Sequence, residues 1–429
     1  MGPDPFTKKP NYYKIYEVQF MFNVLTNKFY LKIMYLFIGL SFATIIADIP
    51  YFNLLNKATL AYGMLLIFIN IFEVLFFKKR KFYFFELFLY AFLIFTLYLN
   101  LTEYKLTENL KVWLVNVMIL TVLFSIDTHK KREQLNKEIN IISYFIVSYT
   151  FILSVGSLIL MFYNKNISSI FKFINPNTLG SFAGLFKNEN SFGIAATLSL
   201  VISLYLLFES RKLLTKGALA LNTIVQFISI FISGGRSGYL VPLAIIFVFL
   251  FIKYKNLYFR TTIIALPIVT SVVAFFTLPS DILHKILTGR EYLWQSAFRL
   301  IAKYPLTGVG NVNKVGRIKD VRVTYLLGLE EGGLHNIFFE ILCVNGIIAT
   351  IIFMLLLIFI LIFLFKKILK LKNRDRLKYG LLLSLIIGIL FINLLESSLI
   401  YIISFISIIF WIYTGYLISL LSIKNKTYY

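Results

Sequence analysis

Long apolar runs alternate with short polar ones along most of the chain. A spanning helix needs about 20 mostly apolar residues. Read this way, the pattern predicts twelve spans, at 31–48, 58–77, 82–101, 111–126, 139–162, 191–208, 218–234, 237–252, 261–278, 336–365, 379–395 and 398–422. The tenth is long enough to tilt or project. The rhythm breaks between the ninth and tenth spans, where a polar, Arg-rich interval begins. Within it, Leu293, Trp294, Ala297, Leu300 and Ile301 recur at helical spacing, which predicts an amphipathic helix over 290–303 lying on the membrane surface. Tyr304-Pro305 ends it, and Pro305-Leu306-Thr307-Gly308-Val309-Gly310 reads as a rigid turn. A second polar interval, 164–190, contains the turn signal Asn175-Pro176-Asn177. The resulting plan is an all-α polytopic membrane protein of about twelve transmembrane helices. Residues 1–28 are an N-terminal segment, 29–278 carry helices one to nine, 279–335 form a large loop, 336–422 carry helices ten to twelve, and 423–429 are a tail.

Composition agrees with that plan. Hydrophobic residues make up 59% of the chain, against about 45–50% in a soluble domain. The first apolar segment lies behind a polar start and is too long for a signal h-region, so no cleavable signal is expected. The net charge of +23 would suit nucleic acid, but the positions of the cations exclude that partner, because most sit in short loops between spans. Alternate loops carry 27 lysines and arginines, against six in the short loops of the other set. The excess marks the cytoplasmic side. Both termini are therefore expected in the cytoplasm, with 279–335 facing outward. Cys343 is the sole cysteine, which excludes an intrachain disulfide and a cysteine-based metal site.

Candidate chemistry concentrates at the outward face. Three histidines, with no His-Glu-x-x-His, no Asp-x-Asp and no phosphate-binding Gly-Lys-Ser/Thr loop, give no basis for a metal or other cofactor. Arg236 sits in the tight turn Ser233-Gly234-Gly235-Arg236-Ser237-Gly238, where a charge at membrane depth is functional or snorkels to the surface. Arg290 opens the amphipathic helix. His335, at the outer mouth of the tenth span, carries the one side-chain type suited to proton exchange near neutral pH. Glu396, at the turn between the last two spans, is placed either to cap the hairpin, to touch a sugar or to orient a catalytic group. Glu73 and Glu86 read as structural ion pairs beside Lys78–Lys81, and His284 has no supporting context. Arginine forks hold phosphate oxygens well, and a histidine can activate a hydroxyl. Such a set suits transfer of a sugar from a polyprenyl diphosphate without a metal.

Five pieces in order carry a family resemblance: Gly184-x-Phe186-x-Asn188-x-Asn190, then Ser233-Gly234-Gly235-Arg236-Ser237-Gly238, then Gly289-Arg290-x-x-x-Trp294, then Pro305–Gly310, then His335-Asn336 followed by Asn345-Gly346. Over roughly residues 180–350 the chain resembles the bacterial O-antigen ligase and polysaccharide polymerase superfamily, with Glu189 where that pattern usually has proline. The resemblance implies a GT-C-like membrane glycosyltransferase of the bacterial inner membrane, active at its outer face. Its donor would be an undecaprenyl-diphosphate-linked oligosaccharide. It implies that Arg236 and Arg290 bind the diphosphate and that His335 is the base. Glu396, Asn190, Asn336 and Trp294 are candidate acceptor or sugar contacts. The expected activity is polymerisation of repeat units into O-antigen, capsule or exopolysaccharide, with the lipid bilayer and a chain-length regulator as candidate partners. The alternatives are a ligase using a different acceptor and a flippase for lipid-linked sugars.

Overall fold

The computed structural model describes residues 25–76, 81–163, 182–322, 324–326, 329 and 333–423. The Asn175-Pro176-Asn177 turn and the Glu73 side chain lie outside the described residues. Fifteen helices, and no strand, occur among the described residues. In chain order they are α1 Lys28–Phe42, α2 Phe52–Phe76, α3 Phe84–Leu99, α4 Thr107–Met118, α5 Arg132–Phe162, α6 Glu189–Glu209, α7 Leu213–Ser233, α8 Leu240–Lys253, α9 Leu257–Thr277, α10 Ser280–Leu287, α11 Arg290–Lys303, α12 Lys314–Val321, α13 Ile337–Ile368, α14 Asn373–Ile392 and α15 Phe405–Ser422. Each of the twelve apolar segments read from sequence overlaps one of these helices. Nine helical stretches among the described residues are long and apolar enough to cross a bilayer. The chain is an all-α polytopic membrane protein.

The bundle centres on α6, α14 and α15. These helices are apolar around their whole circumference, the pattern of a helix surrounded by others. Trp411, Tyr413 and Tyr416 of α15 are fully buried. Around this centre α6 packs on α5, α7 and α14, α8 packs on α14, and α15 packs on α1 and α5. A buried polar chain joins three helices: Ser154 donates to Gln226 at 2.9 Å, Gln226 to Asn222 at 2.9 Å, and Asn222 to Ser203 at 2.6 Å. In lipid such bonds hold helices together where no hydrophobic drive separates them from the solvent. By contrast α9 buries none of its spanning face.

Among the described residues of the 279–335 loop, α10, α11 and α12 follow one another, and α11 and α12 share a second hydrophobic core with the start of α13. Leu293, Ala297 and Leu300 of α11 are buried with Ile318 of α12, with Cys343 of α13 and with Leu334, which precedes α13. Sequence reading placed helix 290–303 correctly but laid its apolar face on lipid. The structure closes that face on α12 and α13 instead, which removes it from water without needing a bilayer surface. Of the cations expected to pair with Glu86, residues 78–80 lie outside the described residues, and Glu86 has a local role as well. It is buried, and its Oε2 accepts from the Tyr83 backbone N–H at 2.9 Å, capping α3.

The loop domain is fastened by a break in α13. Gly346 has φ 76° and ψ −177° inside this helix, a conformation open essentially to glycine alone. The break frees carbonyls that the helix would otherwise use, and an unsatisfied carbonyl in a membrane is costly. The Pro305–Gly310 turn supplies the missing donors. Val309 N–H bonds Cys343 O at 2.9 Å and Gly310 N–H bonds Val344 O at 3.0 Å, while Ile347 N–H reaches back to Pro305 O at 2.8 Å. A Cβ at Gly308 would lie 2.6 Å from both of these helix carbonyls, so only glycine permits this approach. The expected rigid turn is therefore a backbone splice into a membrane helix.

Candidate active site

His335 is the hub of the loop end. Its backbone is left-handed, with φ 49°, a conformation disfavoured for a side-chain-bearing residue. Its neighbours hold it there. Leu334 N–H donates to Glu340 Oε2 at 3.1 Å, Leu334 O accepts from Trp294 Nε1 at 3.1 Å, and Asn336 N–H donates to Ser397 Oγ at 3.1 Å. Glu340 in turn forms a buried ion pair with Lys314 of α12. Asn336 caps α13, its Oδ1 accepting from Phe338 N–H at 2.9 Å and Phe339 N–H at 3.2 Å while its Nδ2 donates to Leu394 O at 3.1 Å.

Glu396 joins the charged groups. Its Oε1 lies 3.3 Å from Arg290 Nη2 and accepts from Ser237 Oγ at 3.3 Å; its Oε2 lies 3.3 Å from His335 Nδ1. Side-chain exposure is 11% for Arg290, 15% for Glu396 and 21% for His335, so the cluster is desolvated but reachable. Burial lowers the pKa of the Arg290 guanidinium, and Glu396 opposes that while neighbouring Arg236 adds to it. The Arg290 charge is thus held in a tight, cation-crowded place that an incoming anion would relieve.

Two cavities meet at His335. The larger, about 630 Å³, is lined by Asn188, Asn190, His335, Glu396, Ser397 and Tyr401 among others. The smaller, about 330 Å³, is lined by His284, Gly289, Arg290, Tyr292, Tyr325 and His335 among others. His335 faces both.

The structure therefore gathers Arg290, His335 and Glu396, with Asn190 on the wall of the larger cavity. Arg236 is exposed. Its Nη1 donates to the Lys285 carbonyl at 2.6 Å and the Ile286 carbonyl at 3.4 Å, so it ties the end of α10 to the α7–α8 turn. Trp294 and Asn336 support the backbone around His335 and are not on the wall of either cavity. Of the three readings for Glu396, the structure shows a carboxylate touching a histidine and an arginine. Among the described residues no three or more His, Cys, Asp or Glu side chains come together in a metal-sized group.

Some residues of the site escaped the sequence. His284 contacts Glu291, Nδ1 to Oε1, at 2.5 Å and lines the smaller cavity. The seven-residue step from His284 to Glu291 is two helical turns, a weak signal across the helix interruption at Thr288–Gly289. Lys314 and Glu340, 26 residues apart, leave no local pattern at all. Asn188 caps α6 by accepting from Ser191 N–H at 2.7 Å, which makes Glu189 the first helical residue. That position tolerates proline and favours a carboxylate by the helix dipole, which explains physically why either residue fits there.

A family model described as O-antigen ligase matches residues 221–354. The match takes in Arg236, Arg290, the Pro305–Gly310 splice, His335 and the Gly346 break, and it leaves Glu396 outside. No curated protein matches the chain closely enough to count as a relative. The chain thus carries, over residues 221–354, an O-antigen ligase-family region, which supports its place in the superfamily of O-antigen ligases and polysaccharide polymerases, membrane proteins that transfer glycans.

Proposed function

We propose that the protein is a polysaccharide polymerase acting on undecaprenyl-diphosphate-linked repeat units at the outer face of a bacterial inner membrane. The carrying observation is the Arg290–Glu396–His335 cluster at the meeting point of two cavities. In this reading the growing chain's diphosphate sits against Arg290, with Arg236 adding positive potential nearby. The acceptor hydroxyl of an incoming unit approaches His335 from the larger cavity, beside Asn190. The hydroxyl oxygen attacks the anomeric carbon, the glycosyl–phosphate bond breaks, and undecaprenyl diphosphate leaves with the electron pair. His335 takes the hydroxyl proton. Glu396 orients the imidazole and stabilises the imidazolium that forms, and it fixes Arg290 at the same time. The arginines neutralise the leaving group, the task a metal performs in other transferases. In this reading both termini are cytoplasmic, because the alternate loops that carry the cation excess in the sequence belong to that side.

The O-antigen ligase match favours a second reading, transfer of finished glycan to a different acceptor. A flippase would place its cations in a central cavity between spans, whereas Arg290 and His335 sit in and beside the loop domain. Incubation of the purified protein with the lipid-linked repeat unit alone separates the three. A product ladder is the expected result. No product until a second acceptor is added would replace the polymerase with a ligase, and movement across a vesicle without new bonds would replace both with a flippase.

A further inference from the structure

A groove of about 570 Å³ runs between α8, α9, α13 and α14. Its walls are apolar, formed by side chains such as Phe247, Phe251, Ile264, Ile362 and Phe391. Two cations complete it, Arg260 and Lys366. Arg260 opens α9, stacks its guanidinium over the Phe251 ring at 4.6 Å, and donates from Nε to Phe251 O at 3.1 Å and Tyr254 O at 2.9 Å. Its Nη2 is buried with no hydrogen-bond partner among the described residues. Lys366 is exposed at the last turn of α13.

We propose that this groove is a binding site for one anionic diacyl phospholipid, with the headgroup phosphate at Arg260 and Lys366 and the acyl chains along the apolar walls. The unpartnered Nη2 asks for an acceptor, and a phosphate oxygen is the acceptor that a lipid bilayer offers to a guanidinium. An apolar groove beside a helix that buries none of its own spanning face cannot stay empty in a bilayer, and water gains nothing there. The length argues for acyl chains. From Ile358 to Lys366 the groove follows α13 for eight residues, roughly 12 Å at 1.5 Å per residue, near the depth of one leaflet, about half of a 30 Å hydrocarbon core. A polyprenyl tail of carrier length would overrun it. The inference needs only the membrane-spanning fold and is independent of the glycan reading.

Native mass spectrometry of the full chain, released from nanodiscs of phosphatidylglycerol and phosphatidylcholine with matched acyl chains, tests it. The expected result is a retained phosphatidylglycerol in preference to phosphatidylcholine. Lys366→Gln should weaken that retention several-fold, and Ile362→Trp, which fills the groove without touching Arg260, should abolish it while the protein remains folded by its melting curve. Adding phosphatidylglycerol to delipidated protein should raise the melting temperature of the wild type by a few degrees and leave that of Ile362→Trp unmoved. Equal retention of the two lipids, or wild-type retention in Ile362→Trp, would overturn the proposal. Undecaprenyl phosphate displacing phosphatidylglycerol would also overturn it, by making the occupant a carrier lipid.

Discussion

Both ends of the bundle carry a knot of cations and carboxylates, and the two are built to opposite ends. Away from the active site, Glu138 accepts from Lys130 at 2.8 and 2.9 Å, from Gln134 at 3.0 Å and from Tyr416 at 2.8 Å. Beside it, Lys32 donates to Ser125 at 2.7 Å, and Asp127 N–H donates to Ser419 at 2.9 Å. These short contacts tie α1, α5 and α15 together, and none of the residues lines either loop-end cavity. Around Glu396 the contacts are 3.3 Å each and open onto two cavities. A closed, fully bonded knot stabilises the fold. A loose one with room beside it leaves binding capacity for a substrate, and catalytic contacts often tighten only when that substrate arrives.

The largest expected break in this contrast is at His335. His335→Ala should cut glycan transfer by ~10²–10⁴-fold, the usual worth of a general base, while donor binding persists. A normal repeat-unit ladder from the purified variant would make His335 structural and move the base to Glu396. Ladder and binding lost together would make it a substrate-positioning residue.

Arg290→Lys keeps the charge but loses the planar fork. One charge-assisted hydrogen bond is worth about 1.5–3 kcal/mol, or roughly 10–150-fold in rate if made in the transition state. Steady-state kinetics should show that loss without a change in melting temperature. Arg236→Lys should also impair turnover, by less, because Arg236 is exposed and already donates to backbone carbonyls. Wild-type rates in Arg290→Lys would take the diphosphate away from that arginine.

The converse substitution belongs to the closed knot. Glu138→Gln should lower stability by about 1–3 kcal/mol, the cost of leaving buried donors badly paired, and leave turnover per folded molecule unchanged. A Glu396→Gln variant should do the reverse. If both variants lost stability equally, the distinction between the two knots would fail.

A smaller effect separates them by pH. Burial alone would raise the Asp127 carboxyl, but Lys32, Lys28 and Lys130 reverse this and hold it well below the usual carboxylate range. A lowered folded pKa stabilises above the unfolded value, about 3.9, and the gain is lost as pH falls through the folded value. The Asp127 share of stability should therefore be level from neutral pH down to about 4 and decline only in stronger acid. Thermal melts of wild type and Asp127→Asn across that range check it: parallel curves throughout would remove Asp127 from the account. Smallest of all, excess EDTA should leave transfer unchanged. Activity lost in chelator and restored by Mg²⁺ or Mn²⁺ would refute neutralisation of the leaving group by arginine alone.

The helices were legible because burial in lipid demands long apolar runs, and all twelve segments overlap a helix. Their ends were less so: α15 begins at Phe405 where the apolar run begins at 398, because Asn393 and Asn116 accept from the Ser398 and Tyr401 backbone N–H groups and hold the chain there in an irregular path. Arg290 and His335 were legible as polar side chains at helix mouths. The link between them was not, since Glu396 lies 61 residues from His335 and 106 from Arg290, and tertiary packing leaves no periodic trace. The amphipathic face of α11 was read correctly as a pattern and wrongly as to partner, because periodicity says that a face is covered but not by what.

The interrupted backbone at Gly346 also bears on how such proteins can be recombined. Helix and loop each hold half of one hydrogen-bond set, so neither is a separable part. A loop transplanted into another chain would arrive with its Val309 and Gly310 donors unmatched unless the recipient helix were broken at the same level. A straightened helix would likewise reject its own loop. The unit of exchange between relatives is therefore the loop together with the first third of α13, and hybrids cut elsewhere should misassemble in the membrane before specificity can be tested.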